Sequence, residues 1–260
     1  MARIDGVLFD IDGVLVTSWR PLPGATETLR ALRERSLRRA FLTNTTSRTR
    51  AEIAAELRGQ GMDVDAREIV TAAALTAEYL RATRPGARCL LVNHGDIAED
   101  LEGIVLDPEH PEVVVLGGAG PEFDHVTLSR VVDLMQQGVP LVAMQGGLTW
   151  ATADGLRIDT GAYLPGLEAA GGSRATVIGK PAPTGFTAAA ALMGTEPERT
   201  LMIGDDLVND VLAAQYVGFV GVLVRTGKFR PAVLDSADRA PDHVIDSVAD
   251  LPALLDRLDG

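Results

Sequence analysis

Short apolar runs rich in β-branched and aromatic residues alternate along this chain with longer amphipathic stretches, and few folds accept that pattern. It is the pattern of a parallel sheet wrapped by helices. Ile4–Phe9 is the first such run and stops at Asp10. Gly24–Arg35 has helical spacing at Ala25, Leu29 and Leu32. Arg39–Thr43 reads as a second strand, and Ser47–Arg58 as a helix with Ser47 at its N-cap. The texture returns near the other end. Thr176–Ile178, Thr200–Ile203 and Phe219–Val224 read as strands, and Pro183–Met193, Leu207–Tyr216 and Asp250–Leu258 as helices.

The middle has its own alternation. Arg88–Val92, Glu112–Leu116 and Pro140–Met144 are strand candidates, with helices expected over Ala73–Thr83 and Asp124–Gln137. Gly171-Gly172-Ser173 reads as a linker. The simplest organisation is therefore a core of residues 1–70 and 176–260 with an inserted α/β domain at 71–175. A length of 260 residues accommodates both. The single cysteine, Cys89, excludes an intramolecular disulfide and points to a reducing cytoplasm. The longest uncharged stretch, Leu134–Ala153, contains Gln, Pro and a Gly pair, too polar for a membrane span. Net charge is −12 and aromatics are 4%, which disfavours nucleic acid as a partner.

Four apolar runs end in polar residues suited to chemistry. Phe9-Asp10-Ile11-Asp12-Gly13 closes a buried strand with two acids. In parallel α/β sheets ligands bind beyond the carboxyl ends of the strands. Two carboxylates about 4 Å apart repel by about 4 kcal/mol at an effective dielectric of about 20, which a bound cation would offset. Ile203-Gly204-Asp205-Asp206 continues to Asp210, giving a second acidic strand end. Taken singly, Asp206 also reads as a helix N-cap and Asp210 as a first-turn acid. Lys180, in Gly179-Lys180-Pro181, stands out because 22 of the 24 basic residues are Arg and only Lys180 and Lys228 are Lys. A lysine is a compact point charge that reaches phosphoryl oxygens. Leu42-Thr43-Asn44-Thr45-Thr46 offers a hydroxyl and successive amides before a helix, an anion cradle or an ordinary cap.

This order of acid pair, Thr-Asn, Lys and acid cluster resembles the haloacid dehalogenase superfamily. Pro23-Gly24-Ala25, Thr43–Thr46, Val177–Pro181, Met202–Asp206 and Val224–Lys228 resemble its type IIA branch. The resemblance implies a doubly wound, Rossmann-like parallel-sheet core with an inserted type II α/β cap. It further implies a Mg²⁺-dependent phosphatase of small phosphomonoesters. Asp10 would be the nucleophile that forms an aspartyl-phosphate, and Asp12 the acid and base. Asp10, the Asp12 backbone carbonyl and Asp205 would hold Mg²⁺. Thr43 and Asn44 would bind the phosphoryl group and Lys180 would neutralise it. Asp206 and Asp210 would support the site. A homodimer through the cap is also compatible with the resemblance.

The cap segment Gln145–Ala153 carries no charge, where members of the family tend to carry basic and Tyr residues. Trp150 is therefore the candidate substrate contact, with a cap-core Trp as the other reading, and polyanionic substrates are disfavoured. Gly117-Gly118-Ala119-Gly120 fails as a dinucleotide loop because Phe123 stands where a third glycine belongs. The four histidines show no zinc-ligand spacing. A receiver-like phospho-acceptor or a non-hydrolytic phosphate-binding module is the alternative, although its acceptor acid should stand alone at a later strand end. The inserted domain holds 14 acids and 6 bases, the core 22 and 18. Without its five site acids the core would be +1, so the acidity belongs to the site and the cap.

Overall fold

A computed structural model describes residues 3–152 and 155–259. The chain forms two compact units, one of Met1–Thr43, Ala51–Val70 and Pro183–Gly260, the other of Asn44–Arg50 and Thr71–Ala182.

The first unit is built on a six-stranded sheet. Its spatial order is His243–Ile245, Val220–Val224, Thr200–Gly204, Gly6–Phe9, Arg38–Thr43 and Ile69–Thr71. Gly6–Phe9 pairs in parallel with Thr200–Ile203 on one side and with Arg38–Phe41 on the other. All four of its residues are buried, as expected of a strand covered on both faces. Numbered along the chain the order is 6-5-4-1-2-3, so the winding reverses between Gly6–Phe9 and Thr200–Gly204. A crevice opens at such a reversal, beyond the carboxyl ends of the two strands. Helices Ala25–Glu34, Arg50–Gly59, Pro183–Met193 and Leu251–Asp259 supply the layers. Leu29, Leu32, Ile53, Leu57, Leu251 and Leu254 reach the core, where Phe9 stacks on Phe41 with centroids 5.7 Å apart.

The second unit has a five-stranded sheet in the order Thr176–Val177, Leu141–Ala143, Val113–Leu116, Arg88–Val92 and Val105–Leu106, all parallel. Helices Ala72–Thr83 and His125–Gln136 begin at the caps Thr71 and Asp124, whose side chains accept from Ala74 N and Thr127 N. The helix Thr160–Gly171 packs Leu164 and Leu167 into the cluster with Val131 and Met135. An antiparallel hairpin, Thr149–Thr152 with Gly155–Ile158, pairs Trp150 with Arg157. Among the described residues no helix is long and apolar enough to cross a membrane.

Several local expectations change. The second helix starts at Arg50, not after Ser47, because Asp100 Oδ2 accepts Arg50 N at 3.1 Å and its Oδ1 accepts Arg50 Nε at 2.9 Å. Gly171-Gly172 ends a helix: Gly171 lies against Met135, and Gly172 is a left-handed C-cap. The stretch expected as one helix from Leu207 opens as a π-helix over Leu207–Leu212 and continues as α-helix through Tyr216. Single-turn π segments often mark functional sites. Residues 44–50 and 176–182, on the core side of the expected boundaries, group with the second unit.

Candidate active site

The strand ends on either side of the first unit's reversal carry Asp10 and Asp205. A third acid, Asp210, comes from the π-helix. Carboxylate oxygens of Asp10, Asp205 and Asp210 all lie within 4.8 Å of one another. The three residues are 5%, 1% and 1% exposed. Gly204 makes the approach possible, since a Cβ there would overlap the Asp210 side chain. Asp210 Oδ2 accepts Asp206 N at 3.2 Å.

Asp205 is held unsymmetrically. Its Oδ2 accepts Lys228 N at 2.7 Å, whereas Oδ1 is buried with no hydrogen-bond partner. An orphaned buried carboxylate oxygen is costly. Burial, with the charges of Asp10 and Asp210, pushes the Asp205 carboxyl up to about 8, against the Lys228 amide and ammonium. Three converging carboxylates, one with an unpartnered oxygen, fit a hard divalent cation, and an all-oxygen donor set suits Mg²⁺.

Asp12 follows in a tight turn, in which Gly13 N donates to Val16 O at 2.7 Å and Leu15 N to Ile11 O at 2.9 Å. Its carboxylate is not one of the three that converge. Asp206 caps the π-helix: Oδ1 accepts Val208 N and Asn209 N at 3.1 and 3.0 Å, and Oδ2 accepts Asn209 Nδ2 at 2.7 Å. Thr43 is buried at the end of its strand.

The remaining candidates belong to the second unit. Lys180 is buried there. Asn44 grips its main chain with both ends of the amide: Nδ2 donates to Lys180 O and Oδ1 accepts Lys180 N, each at 2.9 Å. The Asn44 side chain is thus engaged with Lys180. Gly179 must lack a Cβ, which would lie 2.7 Å from Asn44 Oδ1. Trp150 is 43% exposed on its hairpin, so it is not a core residue. Ala153, the last residue of the uncharged segment, and Asp154 after it lie outside the described residues.

The sequence matched Val224–Lys228 to the type IIA branch but carried no site role for that loop. Lys228 supplies the amide to Asp205, Thr226 donates its hydroxyl to Gly13 O, and Gly227 abuts the carboxylate. A signal existed, because Lys228 is the only lysine besides Lys180.

Comparison with known proteins gives the family. A family model described as haloacid dehalogenase-like hydrolase matches residues 7–106, and a HAD-hydrolase-like model matches 177–251. The chain is 33% identical over 261 residues to phospholysine phosphohistidine inorganic pyrophosphate phosphatase of Homo sapiens, covering 98% of this chain and 95% of that protein. It is 36% identical over 238 residues to haloacid dehalogenase-like hydrolase domain-containing protein 2 of Bos taurus, covering 92% and 90%. Among solved structures, 4-nitrophenylphosphatase from Thermotoga maritima superposes with a TM-score of 0.89 at 29% identity, covering 96% and 97%. Glycerol phosphate phosphatase from Mycobacterium tuberculosis, in complex with calcium, gives 0.84 at 28%, covering 95% and 74%. The chain belongs to the haloacid dehalogenase-like hydrolase family and is a phosphoric monoester hydrolase of it.

Proposed function

We propose that the protein is a Mg²⁺-dependent phosphatase that hydrolyses small phosphomonoesters through an aspartyl-phosphate on Asp10. The observation that carries this reading is the buried Asp10–Asp205–Asp210 triad, with its unpartnered Asp205 oxygen, at the reversal of the sheet. By the resemblance of Phe9–Gly13 to the family's first motif, Asp10 at the end of Gly6–Phe9 is the nucleophile. Its carboxylate oxygen bonds to phosphorus as the ester P–O bond breaks. Asp12 gives its proton to the departing alkoxide, then takes one from the water that attacks the acyl phosphate. Inorganic phosphate leaves and the Asp10 carboxylate is restored. Thr43 binds a phosphoryl oxygen, and Lys180 neutralises the charge that develops there.

Asp10, the Asp12 carbonyl and Asp205 would hold the cation, with Asp210 beside them. When bound, Mg²⁺ supplies positive charge that lets a phosphate dianion approach a carboxylate nucleophile. Asp206 acts through the π-helix it caps, and Asn44 holds Lys180. Residues 71–175 with their flanks form the cap, and exposed Trp150 in its uncharged segment contacts the leaving group. The substrate is a small phosphorylated metabolite. The single cysteine supports a reducing cytoplasm as the enzyme's setting, and the cap type is compatible with a homodimer.

Hydrolysis of para-nitrophenyl phosphate tests the reading. Turnover should vanish in excess EDTA and return with Mg²⁺. Undiminished turnover in EDTA overturns it. Asp10→Asn should lose turnover while keeping the thermal unfolding transition.

A further inference from the structure

The loop Thr226–Lys228 lies outside the four polar strand ends that the function uses, yet it encloses Asp205 from one side. Gly13 and Gly227 both have positive φ, +83° and +57°, and a Cβ on either would overlap Asp205 Oδ2. Their backbones are close enough that a Cβ on Gly227 would also lie 2.6 Å from Gly13 Cα. The Lys228 amide donates to the same oxygen at 2.7 Å. The Thr226 hydroxyl donates to Gly13 O and joins the two glycine turns. The loop is itself fixed, with Arg225 N donating to Ile245 O at 3.1 Å and Phe229 N to Thr226 O at 3.1 Å.

We propose that Thr226, Gly227 and the Lys228 amide are positioning residues for the divalent cation: they immobilise Oδ2 of Asp205 against Gly13 and so leave Oδ1 as the oxygen presented to the metal. The unpartnered state of Oδ1 inside the acid triad is the independent sign that a ligand belongs there. A carboxylate gripped at one oxygen cannot rotate to satisfy the other with solvent or a neighbouring amide. Its ordering entropy is met in folding, before the cation arrives. The inference rests on the cation dependence proposed above and adds which residues set the cation's affinity.

The test is a Mg²⁺ titration without substrate, read as the shift in the thermal unfolding midpoint and fitted for Kd. Thr226→Val removes the donor to Gly13 O and should raise Kd about three- to tenfold, the worth of one hydrogen bond. Thr226→Ser should restore it. Gly227→Ala forces Asp205 or Gly13 to move and should raise Kd more than tenfold. If Gly227→Ala does not fold, the Thr226 pair decides. No Mg²⁺ shift in the unaltered protein overturns the cation-dependent function itself. A normal shift there with unchanged Kd in Thr226→Val overturns the loop's role alone. A loss in Thr226→Val that Thr226→Ser does not restore assigns Thr226 to packing and also overturns it.

Discussion

Without metal, this protein should lose stability as pH rises through neutrality, and Mg²⁺ should abolish that slope. Asp205 is 1% exposed and its carboxyl is pushed up to about 8, first by burial and then by Asp10 and Asp210. In the unfolded chain the same group titrates near 3.9. Between those values the folded state holds a proton that the unfolded state has lost, so stability falls as pH rises. The full stabilising effect is present below about pH 4 and is gone above about pH 8. Each pH unit inside the window costs on the order of 1 kcal/mol, so moving from pH 5 to pH 7 costs roughly 3 kcal/mol. With about 2.1 cal/mol/K of unfolding entropy per residue, the midpoint drops about 5 °C if the whole chain melts together, and about 9 °C if the first unit melts alone. Hydrogen bonds hold Asp107, Glu112 and Asp124 below the usual carboxylate range, so these three act only under about pH 5. The assay is thermal unfolding in EDTA from pH 5 to 8.5, beside Asp205→Asn, which keeps an acceptor for the Lys228 amide but cannot ionise. The unaltered protein should fall relative to the variant across this range. With saturating Mg²⁺ the slope should vanish, and binding at pH 7 should release about one proton. Parallel pH profiles of the two proteins in EDTA would refute the reasoning.

Asn44→Ala removes both bonds to the Lys180 main chain and should lower kcat/KM about 5- to 150-fold, with Mg²⁺ affinity measured by thermal shift unchanged. Asp100→Ala strips the acceptor from Arg50 N, Arg50 Nε and Thr71 Oγ1 at a buried position, and should destabilise by about 3–5 kcal/mol in denaturant titration. Trp150→Ala should leave the unfolding midpoint within about 1 °C, because the side chain is exposed, and raise KM for aromatic phosphomonoesters. An unchanged KM there removes Trp150 from the substrate site.

The acidic strand ends were legible because each depends on local chemistry. A run that is apolar at every position announces a strand buried on both faces, and the acids at Asp10 and Asp205 mark where it leaves the sheet. The convergence of Asp210 was less legible. Sequence alone suggests a solvated acid in a first helical turn, and only the π-helical winding with Gly204 brings it beside Asp10. Ser47 failed as a cap because a residue far along the chain, Asp100, already serves the helix's first amide. The helix Thr160–Gly171 was not foreseen because Gly161, Pro165 and Gly171 lower its local propensity. Those residues answer tertiary demands. A Cβ on Gly161 would overlap the carbonyl of Gly146, and one on Gly171 would overlap Met135. Residues 44–50 join the second unit for a similar reason: Asn93 Nδ2 donates to Thr46 O at 3.0 Å across 47 residues of sequence.

The two sheets explain why one glycine-rich turn lies at the proposed cation site and the other is packed against its own chain. Each unit has a point where strand order reverses, and such points are where open α/β sheets bind ligands. In the second unit the reversal lies between Arg88–Val92 and Val113–Leu116, whose ends carry Asn93 and Gly117–Gly120. The chain itself fills that place. Asn93 Oδ1 accepts Gly118 N at 2.8 Å, a Cβ on Gly118 would lie 2.5 Å from Thr46 Oγ1, and one on Gly95 would overlap the Ser47 backbone. The glycines are there so that residues 46 and 47 can lie against the strand ends, which accounts for a dinucleotide-like loop with no third glycine. In the first unit the same kind of place is lined by Asp10 and Asp205, with Gly13 and Gly227 closing on one carboxylate oxygen and leaving the other bare. The same backbone device packs a peptide in one sheet and shapes the proposed cation site in the other.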